Sequence, residues 1–188
     1  MQLEKHSSPI SKELLEEVRP FMATCWQDTY SDSLGHEVVA NLVDNLGDGT
    51  LGGGLPGIGE TLLLVRDGDT IVATCTYAYG DECGAVWGLY ITRPYQRKGI
   101  GSQLLRVAAE AGKPDDTIQL FVMQDATDAI NFYLRNQFVI ANQIRGEILP
   151  GVATSCLLLS ASVAALLATI PCDTALHPVA SAGPCSVL

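Results

Sequence analysis

The sequence predicts a mixed α/β fold, because helical and strand-like segments alternate along the chain in a fixed order. Two amphipathic helical segments come first, and three strand-like segments follow them. The first two strand-like segments flank Asp67-Gly68-Asp69, which is a strong signal for an antiparallel hairpin. From residue 84 onward strand and helix alternate, which predicts a βαβ-like crossover. The chain is therefore expected to form a mixed sheet covered by helices.

Two helices are predicted before the hairpin. The first covers residues 11–28, where Ser11 can cap the helix and apolar residues recur at helical spacing. Pro20 lies inside this segment and is expected to kink or split the helix, because proline lacks the N–H group that a helix interior uses. The second helix is predicted at about 33–46 from the same spacing of apolar residues.

A glycine-rich segment, 47–60, separates these helices from the strands. Its string Gly47-Asp-Gly49-Thr-Leu-Gly52 satisfies the pattern G-x-G-x-x-G. A dinucleotide site needs that pattern after a strand and at the start of a helix, whereas here it follows a helix and leads to a strand. The dinucleotide interpretation is therefore rejected. Two interpretations stay open, a flexible loop and a mobile wall beside a substrate site.

The strands that follow are short and apolar, and one of them contains a glycine. Gly88 lies inside the third strand and indicates a bulge or a close approach of backbones. The strands are predicted at 61–66, 70–79, 84–91, 117–123, about 138–145 and about 153–160.

Two further helices lie between these strands. One is predicted at about 100–111 and ends at Gly112, since glycine is common just beyond a helix C-terminus. The other is expected to begin at a cap provided by Asp125 or Thr127 and to run to about Asn136.

Composition and charge limit the functions that the chain can have. Its 188 residues, 47 % of them hydrophobic, suffice for one well-filled domain. The net charge of −10 argues against nucleic acid as a partner, because phosphate binding requires a basic surface. No two of the six cysteines have C-x-x-C spacing, so no metal site is expected. The N-terminus lacks the apolar stretch of a signal peptide, which predicts a cytoplasmic protein.

A group of positive charges in this acidic chain points to a small phosphorylated ligand. Two closely spaced glycines, Gly99 and Gly101, lie where a predicted helix begins after a strand. The first N–H groups of a helix have no internal acceptor and carry the positive end of its dipole, so they bind phosphate readily. A Gly-x-Gly sequence alone is equally compatible with a tight turn. Four of the eleven Lys and Arg residues surround it: Arg93, Arg97, Lys98 and Arg106.

In its context, the segment 86-VWGLYITRPYQRKGIGSQLL-105 resembles the acetyl-CoA-binding segment of the GNAT superfamily of N-acetyltransferases. The signature of that family is Q/R-x-x-G-x-G/A after a strand, and Gln96, Gly99 and Gly101 match it. The segment 129-AINFYLRNQF-138 is similar to the family's Ala-x-x-x-Tyr-x-x-x-Gly-Phe helix.

The N-terminal region resembles the same family, because 26-WQDTYSDSL-34 is similar to the Trp-x-x-x-Tyr stretch between the first two helices of many members. The resemblance covers about residues 10–160 and implies the GNAT fold. That fold has a central, mostly antiparallel sheet with one splayed parallel pair of strands, and helices lie on both faces of the sheet.

The resemblance also implies where acetyl-CoA, the co-substrate, lies. The gap between the strands at 84–91 and 117–123 is expected to hold it, with the pantetheine arm along the first strand and the pyrophosphate on backbone amides of the next helix. The residues implied to bind acetyl-CoA are Leu89, Tyr90, Ile91, Gln96, Arg97, Lys98, Gly99, Ile100, Gly101 and Ser102.

The reaction that the resemblance implies is direct transfer of an acetyl group from acetyl-CoA to a primary amine of a small molecule or peptide, which places the chain in the EC 2.3.1 class. Tyr133 occupies the position of the tyrosine that often protonates the departing thiolate in the family. Tyr133 is also compatible with a plain core aromatic on an amphipathic helix. The alternative function is a non-catalytic acyl-CoA-binding or regulatory module that retains the phosphate site without turnover.

The sequence departs from the family pattern at two places that concern catalysis. Many members carry a glutamate on the central strand where this chain has Ala85. The general base therefore stays open among Glu82, Glu60 and a water held by the backbone. Gln137 replaces the usual glycine before Phe138, so the turn there is expected to differ.

Residues 161–188 are expected to form an apolar and irregular C-terminal extension beyond an acetyltransferase domain at 1–160. The span 152–170 is long enough to cross a membrane, but its first half is required as the last strand, so no membrane partner is expected. Its second half predicts a short helix that packs on the domain or on a second copy, which leaves a homodimer open. The terminal Cys185-Ser-Val-Leu188 formally satisfies a prenylation pattern, but no polybasic segment accompanies it.

Overall fold

A computed structural model describes residues 1–44, 56–81, 83–149, 152–172 and 176–178. Most of the glycine-rich segment, Glu82 and the Cys185 pattern lie outside these residues. The elements in chain order are β1 (Gln2–Ser7), α1 (Lys12–Leu34), α2 (His36–Asp44), β2 (Thr61–Asp67), β3 (Thr70–Tyr79), β4 (Cys83–Ile91), a 3₁₀ turn (Arg93–Tyr95), α3 (Ile100–Ala109), β5 (Thr117–Met123), α4 (Thr127–Arg135), β6 (Val139–Leu149), β7 (Val152–Ser162), α5 (Val163–Thr169) and β8 (His177–Pro178).

One sheet contains all of these strands, in the order β6-β7-β5-β4-β3-β2-β1-β8. Neighbouring strands run antiparallel except for β4 beside β5 and the short contact of β1 with β8. The predicted mixed, mostly antiparallel sheet with one splayed parallel pair is therefore confirmed.

Helices cover both faces of the sheet, and strand β2 shows why. Leu62 and Leu64 pack against α1 and α2, whereas Leu63 and Val65 belong to the core beneath α3 and α5. Side chains alternate between the two faces of a strand, so a run of apolar residues lets both faces be buried. All four leucine and valine side chains are fully buried.

Helix α1 is longer than its sequence pattern predicts. Leu14 donates its N–H to the Ser11 hydroxyl at 3.2 Å, which confirms the predicted cap. Pro20 lies inside the helix without splitting it, because buried residues on both sides keep one face of α1 on the sheet. The helix ends only at Gly35, whose φ of 86° is characteristic of glycine. The 26–34 stretch therefore lies within α1, and its predicted position between two helices is wrong.

Strand β1 has no counterpart among the predicted elements. It pairs antiparallel with β2 from Gln2 opposite Arg66 to Ser7 opposite Thr61. Only Leu3 of this strand is buried. One apolar residue produces no period-two pattern, so hydrophobic periodicity gives no signal for this strand.

The short apolar helix predicted after the last strand is α5, and it packs on the domain. Ala165 donates its N–H to the Ser162 hydroxyl at 3.1 Å, which caps the helix. Val163, Leu166 and Ile170 are buried in the same core as α3. The division of the chain at 160/161 stays a prediction. Within the described ranges, no helix has the length and apolar composition needed to cross a membrane.

Candidate active site

Strands β4 and β5 separate after three paired positions, which opens a gap in the sheet. Cys83, Gly84 and Ala85 of β4 face Thr117, Ile118 and Gln119 of β5. Beyond this point, among the residues that the structure describes, β5 pairs only with β7 and β4 only with β3. The backbone edge of β4 from Val86 to Ile91 is therefore left without a strand on the β5 side.

A bulge in β4 lies beside this gap. The pairing of β3 with β4 shifts register between Thr74 and Thr76, and Gly88 has a φ of 60°. The Thr74 hydroxyl donates to the Gly88 carbonyl at 2.9 Å and holds the bulge from the neighbouring strand. The bulge that the glycine indicates is thus present, and it turns part of the β4 backbone out of the regular ladder.

The residues after the bulge alternate between the two faces of the sheet. Leu89 and Ile91 pack against the core that contains α3, and Tyr90 packs against the core that contains α1. Only their backbone groups remain along the gap. These three residues were expected to line acetyl-CoA, and the structure places them on the open edge.

The turn from β4 into α3 leaves six backbone N–H groups without acceptors. Gln96 spans the turn, because its Nε2 donates to the Ile91 carbonyl at 2.9 Å. The first helical bond runs from the Gln103 N–H to the Gly99 carbonyl at 3.0 Å. Between these points, no N–H group from Arg97 to Ser102 donates to an acceptor within the part of the chain that the structure describes. Such a set of amides at a helix start forms an anion site.

Gly99 and Gly101 serve different purposes in this turn. Gly99 has a φ of 82°, a conformation that favours glycine. A Cβ atom on Gly101 would lie 2.9 Å from Cζ of Phe132 and 3.2 Å from Cδ1 of Ile91. A side chain at position 101 would therefore require the Phe132 ring to shift, so Gly101 permits the close packing of α3 on α4 and β4. Ile100 is buried beside it, and Ser102 is half-buried in the first turn of α3.

Arg97 and Lys98 are exposed at this turn. Arg97 adopts a φ of 58°, and Nζ of Lys98 lies 4.9 Å from the centre of the Tyr95 ring. The Tyr95 hydroxyl in turn donates to Asp67 at 2.8 Å. Neither cation has a carboxylate partner among the described residues, so both are available to an anion at the start of α3.

The other two cations of the predicted cluster are occupied elsewhere. Nε of Arg93 lies 3.3 Å from Asp28 of α1. Arg106 donates to the carbonyls of Leu167, at 3.1 Å, and Ile170 at the end of α5. The expectation that all four cations surround one anion is wrong, because Arg93 and Arg106 instead contact residues that are distant in sequence.

Tyr133 of α4 is half-buried among aromatic rings. Its ring centre lies 5.1 Å from that of Phe132 and 5.5 Å from that of Phe138. Burial raises the pKa of the Tyr133 phenol above its usual value of 10.0, and the nearby Cys75 and Tyr30 raise it further. The phenol therefore holds its proton at neutral pH. Its hydroxyl makes no hydrogen bond with a described residue.

Tyr30 of α1 was not among the predicted site residues, whereas its partner Tyr90 was expected to contact acetyl-CoA through its backbone. The hydroxyl groups of Tyr30 and Tyr90 lie 2.8 Å apart and share a hydrogen bond. The Trp26 ring contacts Tyr90 edge-on, with ring centres 6.5 Å apart. Burial raises the pKa of both phenols, and Tyr133 contributes to the shift of Tyr90. A sequence signal was available, since Trp26 and Tyr30 are four residues apart and share one helix face.

A cavity of ≈ 260 Å³ lies next to Tyr30. Its walls come from the second half of α1 and from the connection between β5 and α4, which is the end where β4 and β5 have separated. The lining residues are Thr29, Tyr30, Asp32, Ser33, Met123, Asp125 and Ala126.

Three further sequence expectations concern the candidate base, the turn at Gln137 and metal binding. Glu60, a candidate base, accepts a hydrogen bond from the Gly57 N–H in its own turn, whereas Glu82 is outside the described residues. Gln137 has a φ of 69°, so the turn has the left-handed conformation that favours glycine, and a difference from the family's turn stays a prediction. No described group of His, Cys, Asp or Glu residues is arranged to hold a metal ion.

The helix before that turn also begins differently from the sequence expectation. Its cap position is Ala126, which provides no side-chain hydrogen bond, so neither Asp125 nor Thr127 acts as the predicted cap. The Thr127 N–H instead bonds to the Asp125 carbonyl at 2.8 Å.

Comparison with known proteins adds a family and a fold. The model of the acetyltransferase (GNAT) family matches residues 15–138. No curated protein matches the chain in sequence. Similar solved structures include the PaiA N-acetyltransferase of Thermoplasma acidophilum in complex with coenzyme A, which is 17 % identical. The alignment covers 86 % of this chain and 99 % of that one, with a TM-score of 0.65.

Two more distant structures agree with that fold. A GNAT family acetyltransferase from Elizabethkingia anophelis with acetyl-CoA bound is 14 % identical, with a TM-score of 0.52 over 86 % of this chain and 97 % of that chain. The ribosomal-protein-S18-alanine N-acetyltransferase from Escherichia coli is 13 % identical, with a TM-score of 0.56 over 86 % and 94 % of the two chains. At these identities the likeness concerns the fold.

Proposed function

The chain belongs to the GNAT family of acetyltransferases, and from this premise we propose that it transfers the acetyl group of acetyl-CoA directly to a primary amine of a small molecule or peptide. Family membership makes it an N-acetyltransferase of the EC 2.3.1 class. We further propose which residues form the site, that the amine attacks directly in a ternary complex, and that the acceptor is a small molecule or peptide.

The observation that carries the proposal is the set of six N–H groups from Arg97 to Ser102 at the start of α3. They lie at the end of the open β4 edge, and Arg97 and Lys98 supply positive charge beside them. A ligand that fits must therefore combine an anionic group with an arm that can pair with a strand edge. The pyrophosphate and the pantetheine amides of acetyl-CoA meet both requirements.

We assign Leu89, Tyr90 and Ile91 to the pantetheine arm through their backbone groups. Gln96 stabilises the turn through its bond to the Ile91 carbonyl, and Gly99 and Gly101 permit its conformation and packing. Acetyl-CoA supplies an activated acetyl group, and its sulfur is the leaving group. We expect that group to lie in the gap between the strands, between the two helix-covered faces of the sheet.

The balanced reaction requires two proton movements. The amine nitrogen forms a bond to the acetyl carbon while the carbon–sulfur bond breaks, the amine loses one proton, and the sulfur gains one. A free alkylamine has a pKa of about 10, so a base or a water must remove a proton before attack. The base stays open among Glu82, Glu60 and a water held by the backbone.

We assign Tyr133 as the acid that protonates the departing sulfur. A phenol with the usual pKa of 10.0 is protonated at neutral pH, and burial raises the pKa of Tyr133 further, so Tyr133 has a proton to donate and does not act as a base. The phenolate that forms takes a proton back from water. Its hydroxyl has no acceptor among the described residues, which leaves the proton free for a ligand in the gap. If Tyr133 is instead a purely structural aromatic residue, its hydroxyl group should be dispensable for turnover.

Binding is tested by calorimetry with coenzyme A. Arg97→Gln and Lys98→Gln are expected to weaken binding roughly three- to tenfold each, and the loss should shrink at high salt because exposed charges are screened. Lys113→Gln removes an equal charge from an exposed site at the far end of α3 and should leave affinity unchanged. Equal affinity in all four proteins would contradict the assignment.

Turnover is tested with acetyl-CoA and a panel of amines. Tyr133→Phe is expected to lower kcat by about 10²-fold and to leave the KM for acetyl-CoA unchanged. If the wild type binds coenzyme A and acetylates no amine, the non-catalytic module is the correct description. If wild type and Tyr133→Phe turn over equally fast, Tyr133 is a packing residue.

A further inference from the structure

The cavity beside Tyr30 contains polar groups that the proposed chemistry does not use. It lies between α1 and the β5–α4 connection, where Tyr30 packs against the core beneath α1 and Ala126 against the core that contains α3. The gap between β4 and β5 ends beside it, because β5 has left β4 before it reaches Met123. A molecule in the cavity therefore lies beside the open end of the gap.

The wall of the cavity nearest the gap is the Tyr30–Tyr90 pair. Tyr30 lines the cavity, and its hydroxyl is bonded to that of Tyr90 beside the bulge of β4. Behind them Trp26, only 4 % exposed, contacts the Tyr90 ring edge-on. A hydroxyl group can donate one hydrogen bond and accept two, so the Tyr30–Tyr90 bond leaves acceptor capacity with which this wall can bond an ammonium group of a ligand.

The two carboxylates of the cavity come from different elements and have no partner. Asp32 lies on α1 and Asp125 in the β5–α4 connection, and both are exposed. Neither makes an ion pair or a side-chain hydrogen bond with a described residue. Asp28, one turn earlier on α1, is by contrast paired with Arg93. The described lining residues include no Lys, Arg or His, so none of them neutralises the two carboxylates.

We infer that this cavity receives the acceptor and selects amines that carry a second positive charge. One nitrogen reacts at the Tyr30–Tyr90 wall, and the second ammonium group lies between Asp32 and Asp125. This inference rests on the proposed function and names its substrate class: diamines and other polycationic amines. The net charge of −10 favours the same class, because it attracts cations over long range.

The test compares two acceptors of similar length, diaminobutane and butylamine. The wild type is expected to acetylate diaminobutane with a kcat/KM at least about tenfold higher, because only the diamine carries a charge for the carboxylates. Asp32→Asn and Asp125→Asn are each expected to raise the KM for diaminobutane about fivefold, which corresponds to about 1 kcal/mol for an exposed ion pair. The KM for butylamine and that for acetyl-CoA should not change.

Asp115→Asn is the matched control. This aspartate is exposed in the turn before β5, at the end where β4 and β5 are still paired. It should leave the preference for diaminobutane intact. A general effect of net charge would appear in all three variants, whereas a local site is affected only by the first two.

The outcomes separate this inference from the proposed function. If both amines are acetylated with equal kcat/KM, or if peptides without added positive charge are preferred, the inference is overturned and the acetyltransferase proposal stands. If no amine is acetylated, the proposed function fails first. A diamine preference that survives in the Asp32→Asn/Asp125→Asn double variant would also overturn the inference.

Discussion

The hydroxyl oxygens of Tyr30 and Tyr90 lie 2.8 Å apart, so one hydrogen bond connects helix α1 to strand β4 beside its bulge. The two residues are 60 positions apart in sequence. This bond joins a wall of the cavity to the edge that we assign to acetyl-CoA. A displacement of α1 would therefore be transmitted to the strand that we assign to the acyl donor.

The first prediction concerns the energy of this bond. Tyr30→Phe and Tyr90→Phe should each lower the free energy of unfolding by about 1 kcal/mol, because each variant leaves the other buried hydroxyl without its partner. The double variant should cost less than the sum, since the second substitution removes that unpaired hydroxyl. Chemical denaturation of the four proteins measures the coupling.

Tyr79→Phe is the control for this experiment. The Tyr79 hydroxyl is buried and has no hydrogen-bond partner among the described residues. Its removal should be neutral or slightly stabilising. Strictly additive costs for Tyr30→Phe and Tyr90→Phe would show that the two hydroxyl groups do not interact in solution.

The second prediction separates the two glycines of the α3 turn. Gly101→Ala should destabilise the protein by about 1–3 kcal/mol, because its Cβ would overlap with the Phe132 ring. Phe132→Leu in the same chain should restore part of the loss by making room. Thermal or chemical denaturation measures both effects. If Gly101→Ala is as stable as the wild type and changes only coenzyme A affinity, the glycine contacts ligand rather than Phe132.

The third prediction uses Gln137, which has a φ of 69° in the turn between α4 and β6. Gln137→Gly should stabilise the protein by about 0.5–1 kcal/mol, because glycine adopts this conformation without strain. The greater entropy of the unfolded chain with glycine offsets part of this stabilisation. Asn131→Gly, on the exposed face of α4, should instead destabilise it slightly. A loss of stability in Gln137→Gly would show that the glutamine side chain contributes more than the strain costs.

The sequence was informative where local patterns decide the structure. Asp67-Gly68-Asp69 set the hairpin, Gly88 indicated the bulge, and the residues from Gln96 to Gly101 indicated the turn and the family. Each of these signals depends on backbone conformation within a few residues. The same patterns predicted the order of strands and helices from β2 to β7.

The sequence was uninformative where a distant partner decides the outcome. In the sequence, Arg93 and Arg106 cannot be distinguished from Arg97 and Lys98. The structure distinguishes them, because Arg93 pairs with Asp28 and Arg106 bonds to the end of α5. The sequence likewise suggests only a phosphate loop at Gly101, whereas the structure shows that the Phe132 ring lies where a side chain at position 101 would be. Such choices depend on tertiary contacts, which periodicity and motifs do not contain.

The last prediction concerns stability at alkaline pH. Burial raises the pKa of the Cys25 thiol from 9.0 to about 12, with a smaller contribution from Asp28. Above pH 9 the unfolded chain releases this proton while the folded chain retains it, so the folded state loses relative stability as pH rises. The loss is at most about 1.4 kcal/mol per pH unit for one thiol, and it ends above the folded-state pKa. Cys25→Ala removes this contribution.

The stability difference between the wild type and Cys25→Ala should therefore shrink as pH rises from 9 to 11 under reducing conditions. Urea denaturation at a series of pH values measures it. Cys172→Ala is the matched control, because the Cys172 thiol is exposed and its variant should parallel the wild type at every pH. A Cys25→Ala curve that also stays parallel to the wild type would mean that the Cys25 thiol ionises equally in the folded and unfolded states, which its 4 % exposure argues against.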